Sequence, residues 1–154
     1  MSFTQKIVAP TDFSQASALA LGAASILAKQ FGAEIHLLYV YDPSLLSPLY
    51  VVPGAAALTA PTQEPREFED GVLRELARLR DERLQGIDRV ELSVRQHTSA
   101  AQGIVGYATE VGADLIVLST HGRTGLSHLL IGSVAERVVR HSTCPVLTMR
   151  SHAK

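Results

Sequence analysis

Residues 114–119 read DLIVLS, a nearly continuous apolar run of strand length. Such a run is typical of a strand that other elements cover on both faces. Outward from it, residues 6–10 (KIVAP), 34–41 (EIHLLYVY) and 145–150 (PVLTMR) also read as strands. Longer stretches with helical spacing separate these strands. This alternation predicts an α/β fold with a mostly parallel sheet, right-handed crossovers and helices on both faces.

Apolar residues at helical spacing mark the segments between the strands. Gly32 and Gly112 follow two of these segments, and glycine is a common helix stop. Further along, Val90, Leu92 and Val94 alternate with polar residues, which predicts a strand with one wetter face near an edge of the sheet. The predicted helices cover residues 14–31, 66–85, 100–111 and 133–141.

The composition limits the classes of protein that the chain can belong to. Its 154 residues are 46% apolar and 19% charged, which suits one folded domain with a sizeable core. A net charge of −1 excludes the basic footprint of a general nucleic-acid or anionic-membrane binder. No run approaches the roughly 20 apolar residues of a membrane span, and the N-terminus lacks a signal-peptide pattern. With Cys144 as its single cysteine, we expect a cytoplasmic, single-domain protein without an internal disulfide.

Residues 42–64 do not fit the alternation of strands and helices. They contain four prolines, several alanines and a few apolar residues. A loop of this length is uncommon inside a compact domain, and it is often a lid or a binding segment where it occurs. We expect a flexible, proline-rich insertion, which is either a mobile surface segment or a segment that closes over a ligand.

The loop after the first strand holds the first candidate binding residue. In an open α/β sheet, ligands bind beyond the carboxyl ends of the strands, where the strand order reverses. Asp12 follows the first strand directly, and its carboxylate can accept hydrogen bonds from N–H or hydroxyl groups of a ligand. The alternative is that Asp12 or Ser14 simply caps the following helix.

The loop of residues 119–133, STHGRTGLSHLLIGS, is the second candidate. Gly122 and Gly132 bracket nine residues, and Gly132 stands just before a predicted helix. Anions bind at helix N-termini, and a glycine lets a phosphate approach the backbone closely. Ser133 adds a hydroxyl and Arg123 a positive charge. The alternative is a capping box, in which Ser133 caps the helix and Glu136 reaches back to it.

Other common motifs for nucleotide, metal and nucleophile sites are absent from the sequence. It has no G-x-x-x-x-G-K-[ST], and no G-x-G-x-x-G follows the first strand. The six histidines show no zinc-ligand spacing, and no G-x-S-x-G occurs. Cys144 has no redox partner in the sequence and is predicted to be a small buried residue. We therefore expect no dedicated metal site and name no catalytic residue.

Three segments together resemble the universal stress protein family: residues 7–14 (IVAPTDFS), 119–133 and 135–147 (AERVVRHSTCPVL). The resemblance covers essentially the whole chain, as one domain over residues 1–150 with a short tail at 151–154, and it is weakest at 42–64. It implies a Rossmann-like sheet of five parallel strands in the order 3-2-1-4-5. The switch point of that sheet lies between the first and fourth strands, whose loops carry the two candidates above.

The resemblance extends to the ATP-binding members, which carry the pattern G-x₂-G-x₉-G-[ST]. Gly122, Gly132 and Ser133 match this pattern, whereas Ser119 stands where the first glycine is expected. The serine adds a Cβ and a hydroxyl, which makes the strand end less permissive. Mg²⁺, if present, would be held mainly by phosphate oxygens and water. By resemblance, Asp12 faces the adenosine, Pro10, Thr11 and Val40 line the base pocket, and Gly122, Arg123, Gly132, Ser133 and Val134 surround the ribose and phosphates.

The resemblance also implies partners and a function. The last strand, residues 146–149, would lie at the sheet edge and pair with a second copy in a homodimer. The implied function is a nucleotide-binding regulatory module of the stress response that binds ATP at the switch point. The alternatives are a dimeric stress-response scaffold without nucleotide and slow ATP hydrolysis, for which His121 and Glu136 are the candidate bases. A dedicated enzyme is not expected.

Overall fold

A computed structural model describes residues 5–46, 64–121 and 131–150. The strands pair in parallel in the order β3-β2-β1-β4-β5, as predicted. The strands are Lys6–Pro10 (β1), Glu34–Tyr41 (β2), Val90–Gln96 (β3), Leu115–Ser119 (β4) and Val146–Met149 (β5). The helices are Gln15–Phe31 (α1), Pro65–Arg83 (α2), Ala100–Val111 (α3) and Ser133–His141 (α4), with a short 3-10 helix at Pro43–Leu46.

The sheet has an apolar core on each face. Successive residues of a strand point to opposite faces, so Ile7 and Ala9 of β1 pack with α1 and α2, whereas Val8 packs with α3 and α4. In β4, Ile116 and Val117 divide between the two faces in the same way. The apolar run at 114–119 is therefore continuous because both of its faces are buried.

Helix ends follow the predicted signals with small shifts. Ser14 caps α1 by accepting a hydrogen bond from the Ser17 amide at 3.1 Å, and Gly32 ends that helix with φ of 67°. The second helix begins at Pro65, one residue before the predicted start at 66, and ends at Arg83, two residues before the predicted end at 85. Proline is favoured in the first helical turn because its missing N–H has no partner there.

Two predictions about single segments have different outcomes. Among the strands that the structure describes, β3 pairs only with β2 and lies at an edge of the sheet, as its alternating pattern predicted. Cys144 packs against the α3–α4 core but is half-buried, rather than buried as predicted. Most of the predicted insertion falls at residues 47–63, outside the described ranges. Within the described ranges, no helix is both long enough and apolar enough to cross a membrane.

The topology defines where a ligand site can form. β1 pairs with β2 on one side and with β4 on the other, and the connections leave the sheet in opposite directions from this point. The chain therefore leaves a crevice between the carboxyl ends of β1 and β4, at Pro10 and Ser119.

Candidate functional site

This crevice contains a cavity of about 350 Å³. Its walls come from the ends of β1, β2 and β4 and from the first turns of α3 and α4. Gly122 and Arg123 were also predicted for the site, but they lie outside the described residues. The predicted site residues within the described part all line the cavity: Pro10, Thr11, Asp12, Val40, Ser119, Gly132, Ser133 and Val134.

Hydrogen bonds to side chains fix the turn that carries Asp12. The Phe13 amide donates to Thr11 Oγ1 at 3.0 Å, and the Ser14 amide donates to Asp12 Oδ1 at 2.9 Å. Thr11 is buried and its hydroxyl lies 3.1 Å from that of Ser17 in α1. Each of these side-chain bonds replaces a backbone bond that a tight turn cannot make. The turn is thus tied to both the strand and the helix that flank it.

Phe13 occupies the left-handed region of backbone space, with φ of 63°. A bulky residue reaches this region only at a cost, and such strain concentrates at functional turns. Its ring stacks on Tyr39 of β2, with 5.2 Å between the ring centroids. That contact stabilises Phe13 in its left-handed backbone conformation.

The capping alternative for this loop applies to Ser14. Ser14 is the N-cap of α1, whereas Asp12 lies two residues before the cap and accepts the Ser14 amide in an Asx turn. The Asp12 carboxylate is half-buried at the cavity wall. It can accept hydrogen bonds there from hydroxyl or N–H groups.

The capping-box alternative for the second loop is wrong. The N-cap of α4 is Gly132, with φ of −70° and ψ of 155°, and no side-chain cap bond is present at this end. Ser133 is instead the first helical residue. Glu136 pairs with Arg140 at 2.6 Å, one turn further along the helix. The amides of the first helical turn have no partner within the helix, so this end of α4 suits an anion.

Gly132 lies against the backbone at the end of β4. Its amide donates to the Thr120 carbonyl oxygen at 2.6 Å. A Cβ at position 132 would lie 2.5 Å from that oxygen. Only glycine fits such an approach, since the group that would clash is backbone and cannot rotate away. The start of α4 is therefore fixed to the carboxyl end of β4 by a contact that requires glycine.

Ser119, the departure from the family pattern, has a backbone partner. Its hydroxyl donates to the His121 carbonyl oxygen at 2.8 Å. The Thr120 hydroxyl lies 2.9 Å from His121 Nδ1. Local hydrogen bonds of this kind satisfy a serine in a turn and restrain the chain that follows.

Apolar residues form part of the cavity wall. Ile104, on the buried side of α3, and Leu118, in β4, line this wall together with Val40 and Ala100. Sequence reasoning did not assign Ala100, Ile104 or Leu118 to the site because their spacing already explains them as core residues. The cavity lining thus combines apolar side chains, a carboxylate and a helix N-terminus, a combination common in ligand sites.

Among the described residues, no group of three or more His, Cys, Asp or Glu side chains is placed to hold a metal ion.

Comparison with known proteins places this chain in a family. The chain matches the universal stress protein family over residues 4–150, and it belongs to that family. Universal stress protein MJ0531 of Methanocaldococcus jannaschii is 35% identical over 97% of this chain and 84% of the relative.

Two solved structures of the family resemble the chain closely. Universal stress protein UspA from Lactobacillus plantarum has a TM-score of 0.76 and 26% identity, covering 96% of this chain and 98% of that one. A universal stress protein in complex with cAMP has a TM-score of 0.65 and 25% identity, covering 97% and 98% of the two chains.

Proposed function

We propose that the chain is a regulatory module of the stress response that binds an adenine nucleotide, ATP in the first place, between the ends of β1 and β4. The observation that carries the proposal is the glycine-fixed start of α4 at Gly132, which shares one cavity with the Asp12 turn. Nucleotide binding would change the surface that the chain presents to partners.

The chemistry of the cavity supports one orientation of the nucleotide. Val40, Ile104 and Leu118 offer an apolar surface for the adenine ring. The start of α4 offers backbone N–H groups and the positive end of the helix dipole to the phosphates. Asp12 repels phosphate and accepts hydrogen bonds, so it belongs at the nucleoside end. A volume of about 350 Å³ lies within the range typical of small-molecule sites.

A solved structure of a family member also supports the proposal. The family member in complex with cAMP, an adenine nucleotide, is 25% identical to this chain and covers 97% of it. Gly122 and Arg123, which the family pattern assigns to the phosphates, lie outside the described residues and remain predictions. Asp12 is the only carboxylate among the cavity residues that the structure describes. A Mg²⁺ ion brought with ATP would therefore be held mainly by phosphate oxygens and water, as is usual at nucleotide sites.

The cavity gives little support to a dedicated ATPase. Hydrolysis needs a base that positions and activates a water molecule. Neither candidate base, His121 or Glu136, is among the described residues that line the cavity, and Glu136 forms an ion pair of 2.6 Å with Arg140. The proposal therefore treats nucleotide as a bound regulator rather than a substrate.

A homodimer through β5 is the second part of the proposal. Among the described strands, β5 pairs only with β4 and forms the other edge of the sheet. Leu147 on this strand is 38% exposed. An apolar edge strand is prone to pairing, and pairing with its symmetry mate closes it. Light scattering after size-exclusion chromatography tests this part: a dimer mass supports it, and a monomer mass at all concentrations contradicts it.

Nucleotide release is the experiment for the main proposal. The protein is purified without added ligand and denatured, the supernatant is analysed for adenine nucleotide, and the ligand-free protein is titrated with Mg-ATP in a calorimeter. Released nucleotide or a saturable binding heat supports the proposal. If nothing is released and Mg-ATP gives neither heat nor thermal stabilisation, the proposal is wrong and the nucleotide-free scaffold takes its place.

A further inference from the structure

Gly103 in α3 lies where this helix crosses the end of β2. The residue is buried, and a Cβ built on it would lie 2.6 Å from Val40 Cγ1 and 3.1 Å from His97 Cβ. Real Cβ contacts essentially never fall below 3.0 Å. The space beside Gly103 is therefore filled from two sides, and the helix can lie this close to β2 only because the residue has no side chain.

Neither neighbour can move away easily. Valine is β-branched and its side-chain rotation is restricted, so a new rotamer of Val40 in β2 would carry a cost. His97 is held at both its backbone and its ring: its amide donates to the Tyr41 carbonyl oxygen at 2.9 Å, and its Nδ1 accepts the Ser99 amide at 2.9 Å. A larger residue at 103 would have to displace Val40 or push α3 away from the sheet.

Both displacements would change the cavity described above. Val40 forms its apolar wall together with Ala100 and Ile104, which lie on α3 on either side of Gly103. We propose that Gly103 is a positioning residue: it sets the separation of α3 and β2, and thereby the width of the apolar end that receives the adenine ring. This inference rests on the proposed function for the identity of the ligand, although the close contact itself does not.

Helix propensity favours alanine over glycine at this position. Glycine inside a helix is less favourable than alanine, so an alanine would be preferred if only the helix mattered. Gly106, one turn further along the same helix, shows the contrast. It is exposed, and a Cβ there would meet nothing within 4 Å. Gly106→Ala is therefore a matched control for Gly103→Ala.

The test compares the affinity for Mg-ATP of the parent, Gly103→Ala and Gly106→Ala, measured by calorimetric titration. Gly103→Ala is expected to weaken binding about tenfold, equal to about 1.4 kcal/mol, and Gly106→Ala to leave it within twofold. Val72→Ala serves as a further control, because Val72 is buried in the core on the other face of the sheet. It should lower the melting temperature without changing the affinity, which separates positioning from a general loss of stability.

A double-mutant cycle assigns the effect to Val40. In the Val40→Ala background, the added Gly103→Ala change is expected to alter the affinity less than twofold, because the clashing methyl group is gone. Equal binding by the parent and Gly103→Ala overturns the inference while leaving the proposed function intact. An undiminished tenfold loss in the Val40→Ala background also overturns it, since the effect then does not pass through Val40.

Melting temperatures without ligand keep the two proposals separable. If the parent binds no nucleotide, the proposed function fails, and the close contact is judged on the free protein. Gly106→Ala is then expected to raise the melting temperature and Gly103→Ala to lower it, with the loss relieved in the Val40→Ala background. An equal rise for both glycine variants overturns the inference, because the added Cβ would then be accommodated at no cost.

Discussion

Replacing Gly132 by alanine perturbs the feature on which the proposed site depends most. The added Cβ would lie 2.5 Å from the Thr120 carbonyl oxygen, whereas ordinary van der Waals contact begins near 3.4 Å. The start of α4 and the end of β4 must therefore separate by about 0.9 Å, and the hydrogen bond of 2.6 Å between the Gly132 amide and the same oxygen must stretch or break. No side-chain rotation can relieve a contact with backbone.

The expected loss of stability follows from this geometry. Overpacking a filled site costs about 1–3 kcal/mol, and alanine is a poorer N-cap than glycine by a few tenths to about 1 kcal/mol. We expect Gly132→Ala to lower the free energy of unfolding by about 2 kcal/mol, which for a domain of this size lowers the melting temperature by roughly 4–8 °C. Because the amides of α4 move with the helix start, nucleotide affinity should fall at least about tenfold.

Urea denaturation and calorimetric titration with Mg-ATP measure the two effects. Gly22→Ala is the control, since a Cβ at Gly22 in α1 would meet nothing within 4 Å. That variant should be more stable than the parent by about 0.5–1 kcal/mol and bind nucleotide equally. A Gly132→Ala variant with the stability and the affinity of the parent would refute the close-approach argument.

Substitutions at three further positions test other contacts. The hydrogen bond from His36, followed by the contributions of Lys6 and Arg89, holds the pKa of the Glu34 carboxyl below its ordinary value of 4.5. The stability that the ionised carboxylate contributes is present above pH 4.5 and is lost as the pH falls through the lowered pKa. Glu34→Gln should therefore lower stability at neutral pH and much less in acid. Urea denaturation at both pH values measures this, and a constant difference contradicts it. Ser119→Gly removes the hydrogen bond to the His121 carbonyl oxygen and should lower stability by about 1 kcal/mol, measured by thermal denaturation. Unchanged or raised stability would show that this bond does not stabilise the protein. Phe13→Gly should destabilise less than Phe13→Ala by about 1 kcal/mol, because glycine adopts the left-handed backbone without a Cβ penalty, and equal losses would show that the strain is absent.

The types and order of the secondary-structure elements could be predicted because strands and helices each have a characteristic spacing of apolar residues. Residues 115–118 are all apolar because both faces of β4 are covered, and the alternation at Val90, Leu92 and Val94 reflects the edge position of β3. These patterns record exposure residue by residue. They determine the type and order of the elements without information from distant contacts.

The start of α4 shows where local patterns fail. Ser133 and Glu136 have the spacing of a capping box, yet the helix has Gly132 as its N-cap and Glu136 pairs with Arg140. The contact of Gly132 with the Thr120 carbonyl fixes the position of the helix start, and this contact involves a residue twelve positions earlier in the chain. A tertiary contact therefore overrides a local preference.

Other features of the site carried no sequence signal. Nothing in the sequence around Phe13 predicts a left-handed backbone, since bulky residues avoid it. Ile104 has the same helical spacing whether it lines a cavity or a closed core, and Gly103 reads as a weak point in a helix until its distance to Val40 is known. These residues depend on how α3 lies against β2, which the local pattern does not specify.

A crystal of the protein soaked with ATP at millimolar concentration tests the central claim most directly. The proposal predicts density for the nucleotide between the ends of β1 and β4, with the phosphates at the start of α4 and the adenine ring against Val40. An unfilled crevice, or a crevice occupied by the protein's own side chains, would contradict it.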